Sequence, residues 1–137
     1  MRVFLDSSAL AKRYVKESGT ERVLRICERA DDISLSILCV PELISAFNRL
    51  IREKKLRAGV YYDLKKELGE DVNAASIIPL DHQIVRQAIK CLENNRVKAL
   101  DAIQIASAKE ALCELFVSAD HQQCAAAEKM KLKVERV

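Results

Sequence analysis

The first six residues constrain the fold more than any other stretch of the chain. Residues 3–5 form an unbroken apolar run, Val-Phe-Leu, that ends at Asp6 and is followed by two serines and an amphipathic segment. Such a run is typical of a strand buried on both faces, as in a parallel sheet. Asp6 would then lie at the edge where open α/β sheets bind their ligands. Capping of the next helix by Asp6, Ser7 or Ser8 explains the same residues.

The rest of the chain alternates between strand and helix patterns. Further strands are predicted at 33–37, where apolar residues alternate with serines, at the apolar segments 77–80 and 115–117, and at 132–137. The amphipathic stretches between them predict helices. This alternation predicts an α/β three-layer architecture with a mainly parallel sheet of about five strands. No internal repeat or linker interrupts it, so we predict a single domain over residues 1–137.

Local signals predict where three of the helices begin or end. Residues 18–21, Ser-Gly-Thr-Glu, have the spacing of a capping box and predict a helix start. Pro41 suits the first turn of another helix. Gly69 predicts the end of the helix that carries Val60, Tyr61 and Leu68.

Composition excludes several classes of protein. Half of the residues are hydrophobic and 31% are charged, with three Gly and two Pro, which excludes disordered and collagen-like chains. No apolar run is long enough for a membrane span or a signal peptide, so we expect a cytoplasmic protein with no membrane contact. The five cysteines include no C-x-x-C pair and predict free thiols. A net charge of +3 permits binding to nucleic acid without arguing for it.

Four acidic residues occupy comparable places in this pattern. Asp6 and Asp120 directly follow buried strands, whereas Glu42 and Asp101 open helices. Strand ends and helix starts share one edge of a parallel sheet, so all four acids can meet if the strands before Asp6 and Asp120 are neighbours. Four like charges repel unless a cation neutralises them, and oxygen ligands suit Mg²⁺ or Mn²⁺. Stabilisation by the helix dipole is an alternative account of Asp101.

Four short motifs together resemble the PIN-domain nucleases, and the likeness is closest to the VapC-type ribonuclease toxins of toxin–antitoxin systems. They are D-S-S-A-L at 6–10, P-E-L at 41–43, L-D-A-I-Q-I-A at 100–106 and F-V-S-A-D at 116–120. The resemblance spans nearly the whole chain. It implies a sheet ordered 3-2-1-4-5 and Mg²⁺-dependent endonuclease action on RNA, with Mn²⁺ as a substitute. It also implies a cognate antitoxin and a homodimer as partners.

The resemblance also assigns roles to particular residues. Asp6, Glu42, Asp101 and Asp120 match the family's catalytic acids and are called the acidic quartet below; we expect Asp6, Asp101 and Asp120 to be the metal ligands. Ser7 or Ser8 matches a hydroxyl that supports the first Asp. Ser118 stands where many relatives have threonine.

Basic residues near these motifs are candidates for binding RNA. We expect Lys12, Arg13 and Arg49 to contact RNA phosphates, although a salt bridge to one of the acids explains Arg49 equally well. His82 and His121 are expected to be exposed. The apolar residues of 43–51 and 60–68 exceed what a small sheet needs to cover and predict a homodimer interface.

Two other functions fit part of the pattern. A phosphotransfer enzyme with Asp6 as nucleophile is disfavoured, because Ser8 stands where that chemistry usually has a second Asp. A catalytically inactive PIN domain that binds RNA or acts as a scaffold is the alternative from another class. The intact acidic quartet argues against it.

Overall fold

A computed structural model describes residues 1–137 and contains five strands and seven α-helices. The strands are β1 (Arg2–Leu5), β2 (Asp32–Ser36), β3 (Ser76–Ile78), β4 (Leu115–Ser118) and β5 (Val134–Arg136). The helices are α1 (Ser7–Ala11), α2 (Thr20–Arg29), α3 (Cys39–Arg52), α4 (Tyr61–Ala74), α5 (His82–Asn94), α6 (Ala99–Glu110) and α7 (His121–Lys129), with one 3₁₀ turn at Ala58–Val60. None of the helices is both long and apolar enough to cross a membrane.

All strand pairs are parallel, and the sheet has the order β3-β2-β1-β4-β5. This confirms the predicted α/β architecture and the predicted order 3-2-1-4-5. In the central pair, Phe4 lies opposite Phe116 and Leu5 opposite Val117. The backbone N–H of Asp6 donates to the Val117 carbonyl at 3.1 Å, so the β1–β4 ladder continues to the start of the acidic site.

The two faces of the sheet are covered by different helices. Successive side chains of a strand point to opposite faces, so Val3 and Leu5 pack with α1 to α4 while Phe4 packs with α5 to α7. Phe4 stacks on Phe116 on the second face, at a ring distance of 5.8 Å. Alanines of α6 and α7 fill much of that second core, which lets both helices approach the sheet closely. All five cysteines are free, as predicted.

The capping box predicted at 18–21 is wrong. Gly19 occupies the N-cap of α2 with a φ of 91° and makes no side-chain capping bond, while the Thr20 hydroxyl accepts from the Glu17 N–H at 3.0 Å. A Cβ at position 19 would lie 2.9 Å from the backbone carbonyl carbon of Val137. Both the positive φ and the close chain explain why glycine begins this helix.

Two predicted helix ends are also wrong. α4 passes through Gly69 and ends at Ala74, because Leu68 and Val72 on either side pack against the core and outweigh the roughly 1 kcal/mol helix cost of a glycine. The amphipathic residues 9–16 predict a first helix that extends to Lys16, but α1 ends at Ala11. The chain turns there to bring Tyr14 edge-on to Phe47, with ring centroids 5.7 Å apart.

Candidate active site

Asp6 lies at the end of β1, and its side chain is only 1% exposed. Its Oδ1 accepts hydrogen bonds from the backbone N–H of Ala9 at 2.8 Å and from the Ser8 hydroxyl at 2.7 Å. Its Oδ2 accepts from the Ser118 hydroxyl at 2.5 Å. Burial raises the pKa of this carboxyl to about 6 in spite of these donors. Asp6 is therefore both the cap of α1 and a firmly held carboxylate.

Two serines join the ends of the neighbouring strands β1 and β4. The Ser118 hydroxyl, which donates to Asp6, also accepts from the Asp120 N–H at 3.0 Å. The Ser8 hydroxyl accepts from the Ala119 N–H at 2.9 Å while it donates to Asp6. The backbone that carries Asp120 is thus fixed relative to Asp6 by side chains of both segments.

Glu42 is held in the first turn of α3 by two side chains from other elements. Its Oε1 accepts from the Ser7 hydroxyl at 2.9 Å and from Nε2 of Gln104 at 2.8 Å. Gln104 also donates to the Ser7 hydroxyl at 2.9 Å, which closes a ring of three groups. The other oxygen of Glu42 accepts no hydrogen bond from the protein, so it is free for an ion, water or substrate.

Asp101 is close enough to the other three acids for their charges to interact. Burial raises its pKa, and the nearby charges of Asp120 and Glu42 raise it further. The charge of Asp101 in turn contributes to the raised pKa of Asp6. Asp120 caps α7 by accepting from the Gln123 N–H at 2.9 Å, and Gln123 Nε2 donates to the Asp101 carbonyl at 3.3 Å. The starts of α6 and α7 are therefore linked.

No member of the acidic quartet forms an ion pair with a basic side chain. No three acidic, His or Cys side chains stand in a metal-holding arrangement. Mg²⁺ is commonly held by one or two carboxylates while it keeps several waters, so a closed cage is not required. The donors are all oxygen and carry uncompensated negative charge, and the residues fit a hard divalent cation. The catalytic and metal-binding roles of the quartet stay predictions.

Two of the three predicted RNA contacts lie apart from the quartet. Arg13 binds Asp71 of α4 through two hydrogen bonds of 3.1 and 3.0 Å, and the Tyr14 hydroxyl donates to the same carboxylate at 2.6 Å. Lys12 is 8% exposed, and its Nζ donates to the Ser18 carbonyl. Sequence proximity to Asp6 suggested a place in the site for both, but the structure uses them within the fold.

Arg49 is the predicted RNA contact that lies beside a member of the quartet. It is exposed, it forms no ion pair, and it lines a cleft of about 390 Å³ together with Glu42, Ser45 and Leu100. The alternative account of Arg49, a salt bridge to one of the acids, is not formed. His82 and His121 are exposed, as expected.

Sequence reasoning missed two glutamines that support the acids. Gln104 and Gln123 are each 2% exposed, and they contact Glu42 and the Asp101 carbonyl respectively. Gln104 lies three residues after Asp101 in a helix of alanines and isoleucines. A polar residue in such an apolar helix is the same anomaly that drew attention to Asp101, so the sequence alone could have identified Gln104. Gln123 offered no comparable signal.

Comparison with known proteins agrees with this geometry. The sequence profile of the PIN domain family matches residues 3–129. The chain belongs to the PIN domain family. No curated protein matches this PIN domain.

Solved structures with the same fold include several toxin–antitoxin proteins. VapC20 of Mycobacterium tuberculosis, a toxin that cleaves the sarcin-ricin loop, has a TM-score of 0.68 and 16% identity and covers 90% of this chain and 94% of its own. VapBC2 of Rickettsia felis, bound to a promoter DNA fragment, has a TM-score of 0.68 and 12% identity with 100% and 99% coverage. FitAcB of Neisseria gonorrhoeae has a TM-score of 0.66 and 19% identity with 96% and 95% coverage. This PIN domain thus shares the fold of VapC toxins.

Proposed function

We propose that this PIN domain is a metal-dependent endoribonuclease and the toxin of a toxin–antitoxin pair. The observation that carries the proposal is the acidic quartet, in which carboxylates from four separate elements share one edge of the sheet without a basic partner. Membership of the PIN family and the common fold with VapC toxins support it. The reaction is hydrolysis of an RNA phosphodiester by an activated water.

Asp6, Asp101 and Asp120 would hold Mg²⁺, or Mn²⁺ in its place. Such an ion supplies positive charge for the phosphate oxygens and lowers the pKa of water, which is what phosphodiester hydrolysis needs. Asp6 is fixed by the Ser8 and Ser118 hydroxyls, so it contributes a carboxylate that needs little reorganisation. The free oxygen of Glu42 can orient a water or accept its proton, while Ser7 and Gln104 hold the other oxygen still.

Arg49 is the residue placed best to bind an RNA phosphate. It shares its cleft with Glu42, so a phosphate neighbouring the scissile one can reach it. A guanidinium forms bidentate hydrogen bonds with phosphate oxygens and remains charged at all relevant pH values. A role for Lys12 or Arg13 in RNA binding would require the loss of contacts to Ser18 or Asp71.

A cognate antitoxin, a homodimer, a single domain over 1–137 and a cytoplasmic location complete the proposal. A solved toxin–antitoxin complex from Klebsiella pneumoniae with the same fold (TM-score 0.68, 14% identity) supports an antitoxin partner. For the dimer, the predicted surface is smaller than expected, because Leu43, Phe47 and Leu68 lie in the core. Tyr62 on α4 is 75% exposed and remains available for contact with another chain.

A cleavage assay tests the proposed reaction. Purified protein is incubated with a mixed-sequence RNA in Mg²⁺, in Mn²⁺ and in EDTA, with an Asp101→Asn variant as control for contaminating nucleases. We expect cutting in both metals and none in EDTA or with the variant. Undiminished cutting in EDTA would refute the metal mechanism. Binding of RNA without any cutting would favour the inactive RNA-binding module instead.

A further inference from the structure

A second groove is separate from the cleft that Arg49 lines. It has a volume of about 590 Å³ and lies between the end of α5 and one side of α7. Its lining is mostly polar and comprises Asn94, Asn95, Arg96, Gln122 and Lys129, with Glu93 as its one acid. None of these residues belongs to the site described above.

One end of the groove lies within a helical turn of Asp120, because Gln122 belongs to the first turn of α7 and Asp120 caps that helix. Arg96 and Asn95 precede the start of α6 and hence Asp101 by a few residues, and Gln122 follows Asp120 by two. The hydrogen bond from the neighbouring Gln123 to the Asp101 carbonyl joins the same end of α7 to the first turn of α6. A strand that passes Asp120 at the start of α7 can therefore continue into this groove.

Three of the polar side chains that line the groove have no hydrogen-bond partner within the protein. Arg96, Gln122 and Lys129 make no hydrogen bond or ion pair with other side chains, in contrast to Arg13 and Lys12. Asn94 and Asn95 each donate to a carbonyl of α5, to Lys90 at 2.8 Å and to Cys91 at 3.0 Å. Those bonds hold the end of α5 in place and make the wall of the groove a fixed one.

We propose that this groove is the binding subsite for the single-stranded RNA nucleotides that follow the scissile phosphate on one side. Arg96 and Lys129 bind phosphates, and the Gln122 amide reads a base edge, which single-stranded RNA exposes to side chains. The Arg49 cleft, which Glu42 also lines, then binds another part of the strand. The inference rests on the proposed nuclease function and adds to it the path of the substrate.

Binding is measured with the inactive Asp101→Asn protein and a fluorescent 20-nucleotide RNA of randomised sequence, over a range of salt concentrations. Arg96→Ala and Lys129→Ala should each weaken binding roughly three- to tenfold and reduce the slope of log affinity against log salt by about 0.7. The matched control removes the same charges from an exposed part of α4, in Lys65→Ala and Lys66→Ala. Control variants that lose as much affinity would overturn the groove assignment.

Specificity is measured separately in the active protein by sequencing the 5′ ends of cleaved RNA. Gln122→Ala should alter the base preference on one side of the cut and leave the melting temperature unchanged, whereas Gln83→Ala on exposed α5 surface should alter neither. Unchanged base preference together with unchanged binding by the arginine and lysine variants would refute the subsite. If the groove variants lose only antitoxin binding, the surface is a protein interface instead.

The two proposals fail in different ways. If the wild-type protein binds RNA through this groove but cuts nothing in any metal, the nuclease function fails and the groove stands. If the wild-type protein cuts RNA and all groove variants bind and cut as it does, the groove fails and the nuclease function stands.

Discussion

Two clusters of charged residues in this protein show opposite electrostatic designs. In the Arg13 cluster, formed by Arg13, Tyr14 and Asp71, one carboxylate accepts from a guanidinium and a phenol. Burial and the Asp71 carboxylate raise the pKa of the Tyr14 phenol, which stays neutral. In the acidic quartet, the carboxylates receive hydroxyl, amide and backbone donors but no cation. The first cluster is complete as folded, whereas the second has no basic partner, and the proposed function assigns it a metal ion from outside the chain.

The largest expected effect is the loss of RNA cleavage when a member of the acidic quartet is changed, whereas changes in the Arg13 cluster should leave cleavage intact. Asp101→Asn removes a charge that the proposed metal ion needs while it keeps the shape of the side chain, so we expect cleavage to fall by more than the roughly 100-fold that loss of an outer-shell partner can cause. The metal-free variant should melt at the same temperature or higher, because repulsion from Asp120 and Glu42 falls. RNA cleavage and thermal melting check both parts. Wild-type cleavage by this variant would show that the quartet is not the site.

The absence of a basic partner for the quartet should also change how the free energy of unfolding of the metal-free protein depends on pH. The pKa of Asp6 rises from 3.8 to about 6 on folding, so the folded state binds a proton that the unfolded state has lost. Stability should therefore fall as pH rises from 4 to 6, by about 3 kcal/mol in the limit. Asp6→Asn should reduce this slope to the part that Asp101, whose pKa is also raised, contributes, and it should be more stable than wild type at pH 7 but not at pH 4. Urea unfolding in EDTA at both pH values measures it, and a parallel slope in the variant would assign the effect elsewhere.

The Arg13 cluster should respond in stability. Asp71→Ala leaves the part-buried Arg13 and Tyr14 without their shared acceptor and should lower the free energy of unfolding by about 2 kcal/mol. Cleavage per folded molecule should not change. Asp63→Ala, an exposed acid in the same helix, is the control and should have little effect. Loss of cleavage in folded Asp71→Ala protein would extend the active site to this cluster.

The smallest expected effect concerns a neighbouring side chain that holds one of the four acids in place. Gln104→Leu removes the amide that holds Glu42 and should reduce cleavage about tenfold, which is typical of a group that orients a functional residue. Stability should change little, because Oε1 of Gln104 is buried without a partner in the wild type. Gln83→Leu on the surface of α5 is the matched control. If the variant lost stability along with activity, the role of Gln104 would be packing rather than orientation of Glu42.

The sequence was most informative where chemistry and chain position coincide. Asp6 follows a three-residue apolar run and Asp101 interrupts an apolar helix, so both stood out without any structure, and the strand order followed from the family resemblance. The partner of Arg13 could not be predicted, because Asp71 is 58 residues away and no local pattern joins them. Predictions of helix ends were wrong where contacts distant in the sequence determine the end. Gly19 lies against Val137, and the neighbours of Gly69 pack on the core.

The pairing of β1 with β4 has a consequence for how the protein is made. Val3 lies beside Leu115 in the ladder, so the first strand to leave the ribosome waits for more than four-fifths of the chain before its central neighbour exists. A nascent chain that stops before residue 115 already contains Asp6, Glu42 and Asp101. It lacks Ser118, the hydroxyl that fixes Asp6, and it lacks Asp120. Under the proposed function, an incomplete translation product has no complete active site, and toxicity arises only when synthesis is almost finished.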